Sequence, residues 1–439
     1  MAPPIEAQKN TASIPAIVQQ ISSLSLQIQS HLTDDSFFKK GLSGELGGVP
    51  ETPEYEALRL PLNDLLHQLL RIVNGPKNTL RELLFSHYDL AALQIALDRR
   101  FFEHIPLPLV STPGNGLTAS SVADIARKAS MDEDRTGRVL KLLATHGIFE
   151  EVEGRPGLFT HSVNSAYLAR NPDFCAVADM QMDDMFKVAS EASVMISSSP
   201  LVTDPSQSAF HKRFGSSLYQ YYEQRPEKAR RFAQAMSSWT QVHRHADELY
   251  DGFPWASLGN GKVIDIGGGS GHTSVELGRI FPRLNFVVQD ISSEMFAQAD
   301  IRGLGDHVTF QQHNFFDTQP VHDASAFILS QCIHNYDDRD AARIIRAVVP
   351  ALERCGRGTP LLISDIVLPD TTSSGTANRS EQHHARQIDL CMMLLQGAKE
   401  RNAEEFRRII KEADPRLEVV TVRRNPTGLG LIQVQLAVE

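Results

Sequence analysis

In the run Val263-Ile264-Asp265-Ile266-Gly267-Gly268-Gly269-Ser270-Gly271, an apolar segment leads into a turn made almost wholly of glycine, and a helical pattern starts near His272. Glycines at such a turn let a ligand approach the backbone, and the next helix offers N–H groups that lack intrahelical partners. The following apolar run ends on Asp290, a carboxylate able to accept from both hydroxyls of a ribose. Two nucleotide fingerprints fail here. The dinucleotide GxGxxG breaks in both registers, because Gly267 and Gly269 lead to His272 and Gly269 and Gly271 lead to Ser274. The phosphate loop breaks too, because no Gly-Lys-Ser/Thr follows.

The pattern apolar-Asp-apolar-Gly-Gly-Gly-Ser-Gly resembles motif I of class I methyltransferases. The resemblance implies S-adenosyl-L-methionine as cofactor, its methionine part at Gly267, Gly268 and Gly269 and its ribose at Asp290. His313-Asn314-Phe315-Phe316-Asp317 resembles the Gly-Asp-Met-Phe stretch that lines the adenine pocket of plant-type small-molecule O-methyltransferases. Asn314 stands where that family has Asp, and its side-chain carbonyl can still accept from the adenine amino group. Phe315 would pack on the purine. Ser330 occupies the place of a cofactor-contacting Lys, and Tyr336 that of a Trp beside the adenine.

Methyl transfer to a hydroxyl requires an aligned acceptor and a base for its proton, and a histidine at the carboxyl end of a strand suits that work. Ser330-Gln331-Cys332-Ile333-His334-Asn335-Tyr336-Asp337-Asp338 resembles the His-Asp-Trp-Ser-Asp-Glu segment of plant caffeate and flavonoid O-methyltransferases. It is nearer still to the His-Asn-Tyr-Asp-Asp form of fungal secondary-metabolite relatives. The family's base falls on His334. Ile363-Ser364-Asp365-Ile366-Val367-Leu368-Pro369 resembles the family's Glu-Cys-Ile-Leu-Pro, and Gly397-Ala398-Lys399-Glu400-Arg401 its Gly-Lys-Glu-Arg. Asp365 and Glu400 are thereby expected to support the histidine. Phe232-Ala233-Gln234-Ala235-Met236 and Thr240 resemble the family's Phe-Asn-x-x-Met…Ser, which puts Met236 on the acceptor ring and Thr240 on the cofactor carboxylate. Met180, Met182, Met185, Met392 and Met393 are further pocket-wall candidates, since thioethers adapt to flat aromatics, although core packing is the commoner role for any one of them; Met393 is counted with Met236 as a substrate residue.

These residues need a scaffold. From about residue 251, strand candidates at Val263–Ile266, Asn285–Gln289, Val308–Gln311, Ala326–Leu329, Leu361–Ser364, Glu418–Val422 and Leu431–Leu436 alternate with helical segments. The clearest helix, Asp338–Leu352, carries Ile344, Ile345, Val348, Val349 and Leu352 on one face. Such alternation predicts an α/β, doubly wound, Rossmann-like methyltransferase domain over 251–439. Upstream, 1–78 reads as a helical arm with a loop over Gly41–Pro53, 79–170 as a winged helix, and 171–250 as a helical linker. In the winged region, Val122, Ile125 and Ala126 share one helical face, and Val139, Leu142 and Leu143 another. Gly147 stops the second helix, and the turn Glu153–Gly157 separates the two wing strands.

A winged helix raises DNA binding, yet Arg127, Lys128, Arg135, Arg138 and Lys141 are nearly balanced by Asp124, Asp132, Glu133 and Asp134. A formal net charge of -10 also opposes nucleic acid and anionic membranes. No CxxC pair, zinc spacing, secretory leader or membrane-length apolar run is present. We therefore expect a cytoplasmic homodimer, dimerising through the N-terminal half, that needs no metal. Its expected partner is a phenolic or enolic hydroxyl on an aromatic or polyketide-like secondary metabolite. One rival is a non-methylating pericyclase or cyclase using the same cofactor as a fixed charge. The other is a winged-helix regulator.

Overall fold

The computed structural model describes residues 13–32, 49–50, 52–107, 118–202, 204–237, 247–296, 299, 301–356, 358–369, 379–425 and 428–437. Thr240 and most of the loop expected over Gly41–Pro53 lie outside them. The chain divides at Met182/Asp183 into two compact units, residues 378–380 grouping with the first.

In the first unit, helix Ile14–His31 packs on the helical run Pro53–Asp98. That run is kinked at Gly75, which takes φ 63° ahead of Pro76, where an L-residue would be strained. Helices Val122–Ala129 and Glu133–Thr145 are each capped by a side chain, from Ser121 and Asp132. Gly147 follows the second helix in the left-handed region (φ 66°). Strands β1 (Ser120–Ser121), β2 (Phe149–Glu151) and β3 (Leu158–His161) form a small sheet in the order β1-β3-β2, completing the wing. Ile125, Leu140, Leu143, Phe149 and Phe159 close its core.

The second unit carries a seven-stranded sheet. Its strands are β4 (Lys262–Ile266), β5 (Asn285–Asp290), β6 (Val308–Gln312), β7 (Ala326–Ser330), β8 (Leu361–Asp365), β11 (Leu417–Arg423) and β12 (Gly430–Leu436); a short pair, β9 (Val367–Leu368) and β10 (Arg401–Asn402), sits apart. The order is β11-β12-β8-β7-β4-β5-β6, parallel from β8 to β6 and antiparallel at β12 and β11. All seven expected strands are present, each within a residue of its expected ends.

The central strands are apolar at nearly every position because both faces are covered. Ile264, Ile266, Phe327, Leu329 and Ile363 pack on one face against Ile344, Ile345 and Val348 of helix Asp338–Cys355 and Phe406 and Ile409 of helix Ala403–Ala413. Val263, Phe286, Val288, Ile328 and Leu362 pack on the other against Val275, Leu277 and Trp255. The chain leaves β4 towards β5 and β6 on one side, then returns to β7 and β8 on the other. That reversal opens a crevice at the carboxyl ends of β4 and β7, where ligands bind in such sheets.

Candidate active site

At the end of β4 the chain turns through Gly267 (φ 71°), Gly269 (φ 58°) and Gly271 (φ 78°) into helix His272–Ile280. A Cβ on Gly267 would stand 2.8 Å from Cys332 Sγ, and one on Gly268 would stand 2.6 Å from the Asp265 carboxyl carbon, so only glycine fits this floor. Asp265 is fully buried. Its Oδ2 accepts from Ser274 Oγ at 2.7 Å, while Oδ1 has no hydrogen-bond partner, and burial raises its pKa. Asp290 anchors the loop edge, accepting from Gly269 N (3.1 Å) and Ser292 N (2.9 Å), and each oxygen keeps a lone pair. Two carboxylates around a glycine turn repel a pyrophosphate and suit an ammonium and vicinal hydroxyls, the groups S-adenosylmethionine presents. The residues present thus fit that cofactor.

Phe315 lies against Gly267 and meets Phe316 and Tyr336 with ring centroids 5.2 and 5.7 Å apart; Phe316 and Tyr336 are 5.4 Å apart. Asn314 Oδ1 accepts from Phe316 N at 3.1 Å, holding that turn and retaining one lone pair. Ser330 closes β7, and its carbonyl accepts from Cys332 Sγ at 3.2 Å. Next comes Gln331 at φ 52°, a left-handed conformation for a residue with a side chain. Such backbone costs about 1–2 kcal/mol and gathers at functional sites. It is fixed by Gln331 N donating to Ser364 O (2.8 Å) and Asn335 Nδ2 donating to Gln331 O (3.3 Å).

This turn delivers His334. Its Nδ1 lies 2.9 Å from Glu400 Oε1 and 3.8 Å from Asp365 Oδ1. Both acids are buried, and Asp365 Oδ1, Asp365 Oδ2 and Glu400 Oε2 make no hydrogen bond. Burial alone would lower the His334 pKa, but Glu400 and then Asp365 outweigh it and raise the imidazole to about 9. Burial lifts Asp365 to about 7; His334 works against that and Glu400 with it. The three residues expected to act together are thus within contact of one another. Met236 and Met393 take no part in this network. Met236 is 38% exposed on helix Pro226–Ser237. Met393 lines a cavity of about 820 Å³ with Leu368, Arg386, Asp389 and Leu390.

Other residues, at the site and away from it, were given no role by the sequence reading. Asp389 accepts from Glu400 N at 3.0 Å. Gln396 donates to Asn335 Oδ1 at 2.9 Å. Asp184 is wholly buried and accepts from Tyr221, Tyr222, Lys228 and Arg231. That network pins helix Pro226–Ser237, which carries Met236. Arg401 is 1% exposed and sits beside Glu400. The sequence signal for it was its place as the Arg in the segment that resembles Gly-Lys-Glu-Arg.

Residues 199–414 match the family described as O-methyltransferase domain. Over 430 residues, the chain is 40% identical to O-methyltransferase sol2 of Alternaria solani, covering 97% of this chain and 96% of that protein. It is 29% identical to O-methyltransferase bik3 of Gibberella fujikuroi, over 88% of this chain and 84% of that one. Among solved structures, OxaC in complex with SAH and oxaline superposes with a TM-score of 0.73 at 18% identity, covering 96% of this chain and 99% of OxaC. LepI in complex with SAM superposes at 0.72 and 18% identity, covering 95% and 99%. Likeness at that identity establishes the fold, which a solved structure described as a pericyclic reaction enzyme also shares (TM-score 0.72, 18% identity, covering 95% of this chain and 100% of that one); the 40% relative, matched nearly end to end, goes further and is an O-methyltransferase. On that relationship, with a cradle that suits the cofactor, the chain belongs to the O-methyltransferase family and is an S-adenosylmethionine-dependent O-methyltransferase.

Proposed function

We propose that the acceptor is a phenolic or enolic hydroxyl of an aromatic, polyketide-like secondary metabolite, and that His334 is its general base. The observation that carries this is the hydrogen bond between His334 Nδ1 and Glu400 Oε1 at 2.9 Å, with Asp365 3.8 Å away. Nδ1–H donates to Glu400, which leaves Nε2 as the basic atom. The acceptor's proton passes to Nε2, and Glu400, with Asp365 beside it, stabilises the imidazolium that forms. S-adenosylmethionine, when bound, supplies the methyl group.

The raised pKa supports a phenolic or enolic acceptor. An imidazole near 9 is within about one unit of a phenol near ~10, so the transfer is uphill by only ~1.4 kcal/mol. An aliphatic alcohol, with a pKa close to that of water at ~15.7, would be uphill by roughly 9 kcal/mol. The names of relatives agree with a secondary-metabolite acceptor: one, 29% identical over 84% of this chain, is the Grayanic acid biosynthesis cluster O-methyltransferase of Cladonia grayi. For the cofactor, we assign Gly267, Gly268 and Gly269 to the methionine part, Asp290 to the ribose, Asn314 and Phe315 to the adenine, and Ser330 and Thr240 to further contacts. Met236 and Met393 are assigned to the acceptor.

We assign dimerisation to the first unit. Leu70, Val73, Leu80, Leu83, Leu84 and Phe85 are each at least half exposed along one kinked helical run, apolar side chains that a partner surface would cover. Among the described residues no helix is long and apolar enough to cross a membrane; we place the enzyme in the cytoplasm. Light scattering tests the dimer, and a single species of 48.7 kDa at micromolar concentration would remove it.

His334→Ala tests the base. Turnover on a weakly acidic phenol should fall roughly 10²–10⁴-fold with cofactor affinity little changed, and an already ionised phenol should suffer less. Near-wild-type turnover on the un-ionised phenol would sink the assignment. Wild-type enzyme that binds cofactor yet adds no ~14 Da to any phenol would return the non-methylating reading.

A further inference from the structure

We propose that Arg401 is the positioning residue of the acid–base site: one buried guanidinium clamps the turn bearing His334 to the segment bearing Glu400. Nη1 donates to Ile333 O at 3.1 Å and Nη2 to Tyr336 O at 2.8 Å, gripping the peptides on either side of His334 and Asn335. Nη1 also donates to Lys399 O at 3.4 Å, and Nε donates to Asp338 Oδ1 at 2.9 Å, at the start of helix Asp338–Cys355. Its own backbone pairs in register with Val367 on β9, just beyond Asp365. A single planar fork thus joins the segments that carry His334 and Glu400, while the backbone of the same residue pairs with the strand that follows Asp365. Lysine, a point charge with one nitrogen, cannot bond in these directions at once.

The turn needs such a clamp. It opens with left-handed Gln331 and crosses a short 3-10 turn, Ile333–Asn335, with little helical bonding of its own. The guanidinium charge also matters. It lies close enough to disfavour the protonated imidazole, acting against Glu400 and Asp365. Arg401 therefore sets where His334 points and adds a smaller opposing charge to those of Glu400 and Asp365. This inference rests on the proposal that His334 is the base.

The test uses R401K and R401M in the full chain. The His334 titration is followed by NMR of ring-labelled histidine, its signal identified by its loss in H334A. R401K keeps the charge and loses the fork: kcat should fall ~10–100-fold with KM and cofactor Kd within ~3-fold, and the His334 inflection should stay put. R401M loses both, so the inflection should also rise, by about half to one unit. Circular dichroism identifies a variant that has not folded, in which case R401K alone decides. Wild-type kcat in folded R401K overturns the clamp. An unmoved inflection in folded R401M overturns the electrostatic part, and a kcat loss in both variants that tracks a fall in Tm with no change of inflection reduces Arg401 to a stability role. If H334A itself keeps its turnover, the base assignment fails first, while the NMR titration still reports on the electrostatic part.

Discussion

Glu400→Gln separates the two contributions the second acid makes to His334, orienting the ring and raising its pKa. Opposite charges about 4 Å apart at an effective dielectric of ~20 attract by about 4 kcal/mol, or ~3 pKa units. Part of that survives, because the charge of Glu400 helps keep Asp365 protonated. Without it, Asp365 ionises more readily and faces the imidazole from 3.8 Å instead of 2.9 Å. The net fall in the His334 pKa should be ~1–2 units, from about 9 to roughly 7.5. At pH 7 the neutral fraction of the imidazole then rises from about 1% to about 25%. That gain offsets an orientation loss of ~10–100-fold. Wild type should therefore exceed the variant in kcat/KM by less than about 5-fold at pH 7 and by ~10–100-fold above pH 9, where both imidazoles are neutral. Initial rates read by mass spectrometry from about pH 6 to about pH 10, with saturating cofactor and a phenol that stays protonated over most of that range, measure the ratio. Parallel profiles, with a ratio independent of pH, would refute the coupling between Glu400 and the proton affinity of His334.

Asp290→Ala should weaken cofactor binding by ~1.5–3 kcal/mol, the worth of charge-assisted hydrogen bonds, and calorimetry finding wild-type affinity would mean that another group holds the ribose. Asp184→Asn should destabilise the fold by ~3 kcal/mol in urea, because it strips charge from a buried site facing Lys228 and Arg231, and an unchanged midpoint would show the network to be dispensable. The His334 pKa is higher folded, about 9, than the ordinary 6.5, so its contribution to stability is complete below pH 6.5 and is lost as pH rises through 9. The stability difference between wild type and His334→Gln should accordingly shrink by about 3 kcal/mol across that window, and a difference that grew with pH would contradict the sign.

Much of the molecule was legible because it is local. The step from an apolar strand to a glycine turn to a helix is written in consecutive residues, Val263 to His272, since only glycine tolerates those φ values. Strand ends fell within a residue of expectation, because strands buried on both faces read as unbroken apolar runs bounded by polar ones. The wing, the capping of its helices by Ser121 and Asp132, and the apolar stripe of Asp338–Cys355 follow from the same short-range rules. His334, Asp365 and Glu400 were named through a resemblance, one residue at a time, with nothing in their spacing to say that they touch. His334 and Glu400 are 66 residues apart in sequence. Their 2.9 Å contact exists because the sheet places β7 beside β8, and because β10 pairs with β9 past the end of β8. Their proton affinities likewise belong to the fold, since burial and neighbouring charge set them and neither exists in an extended chain. Arg401 and Asp184 look like ordinary surface charges in the sequence, and only the folded structure takes them out of water and surrounds each with partners from distant segments.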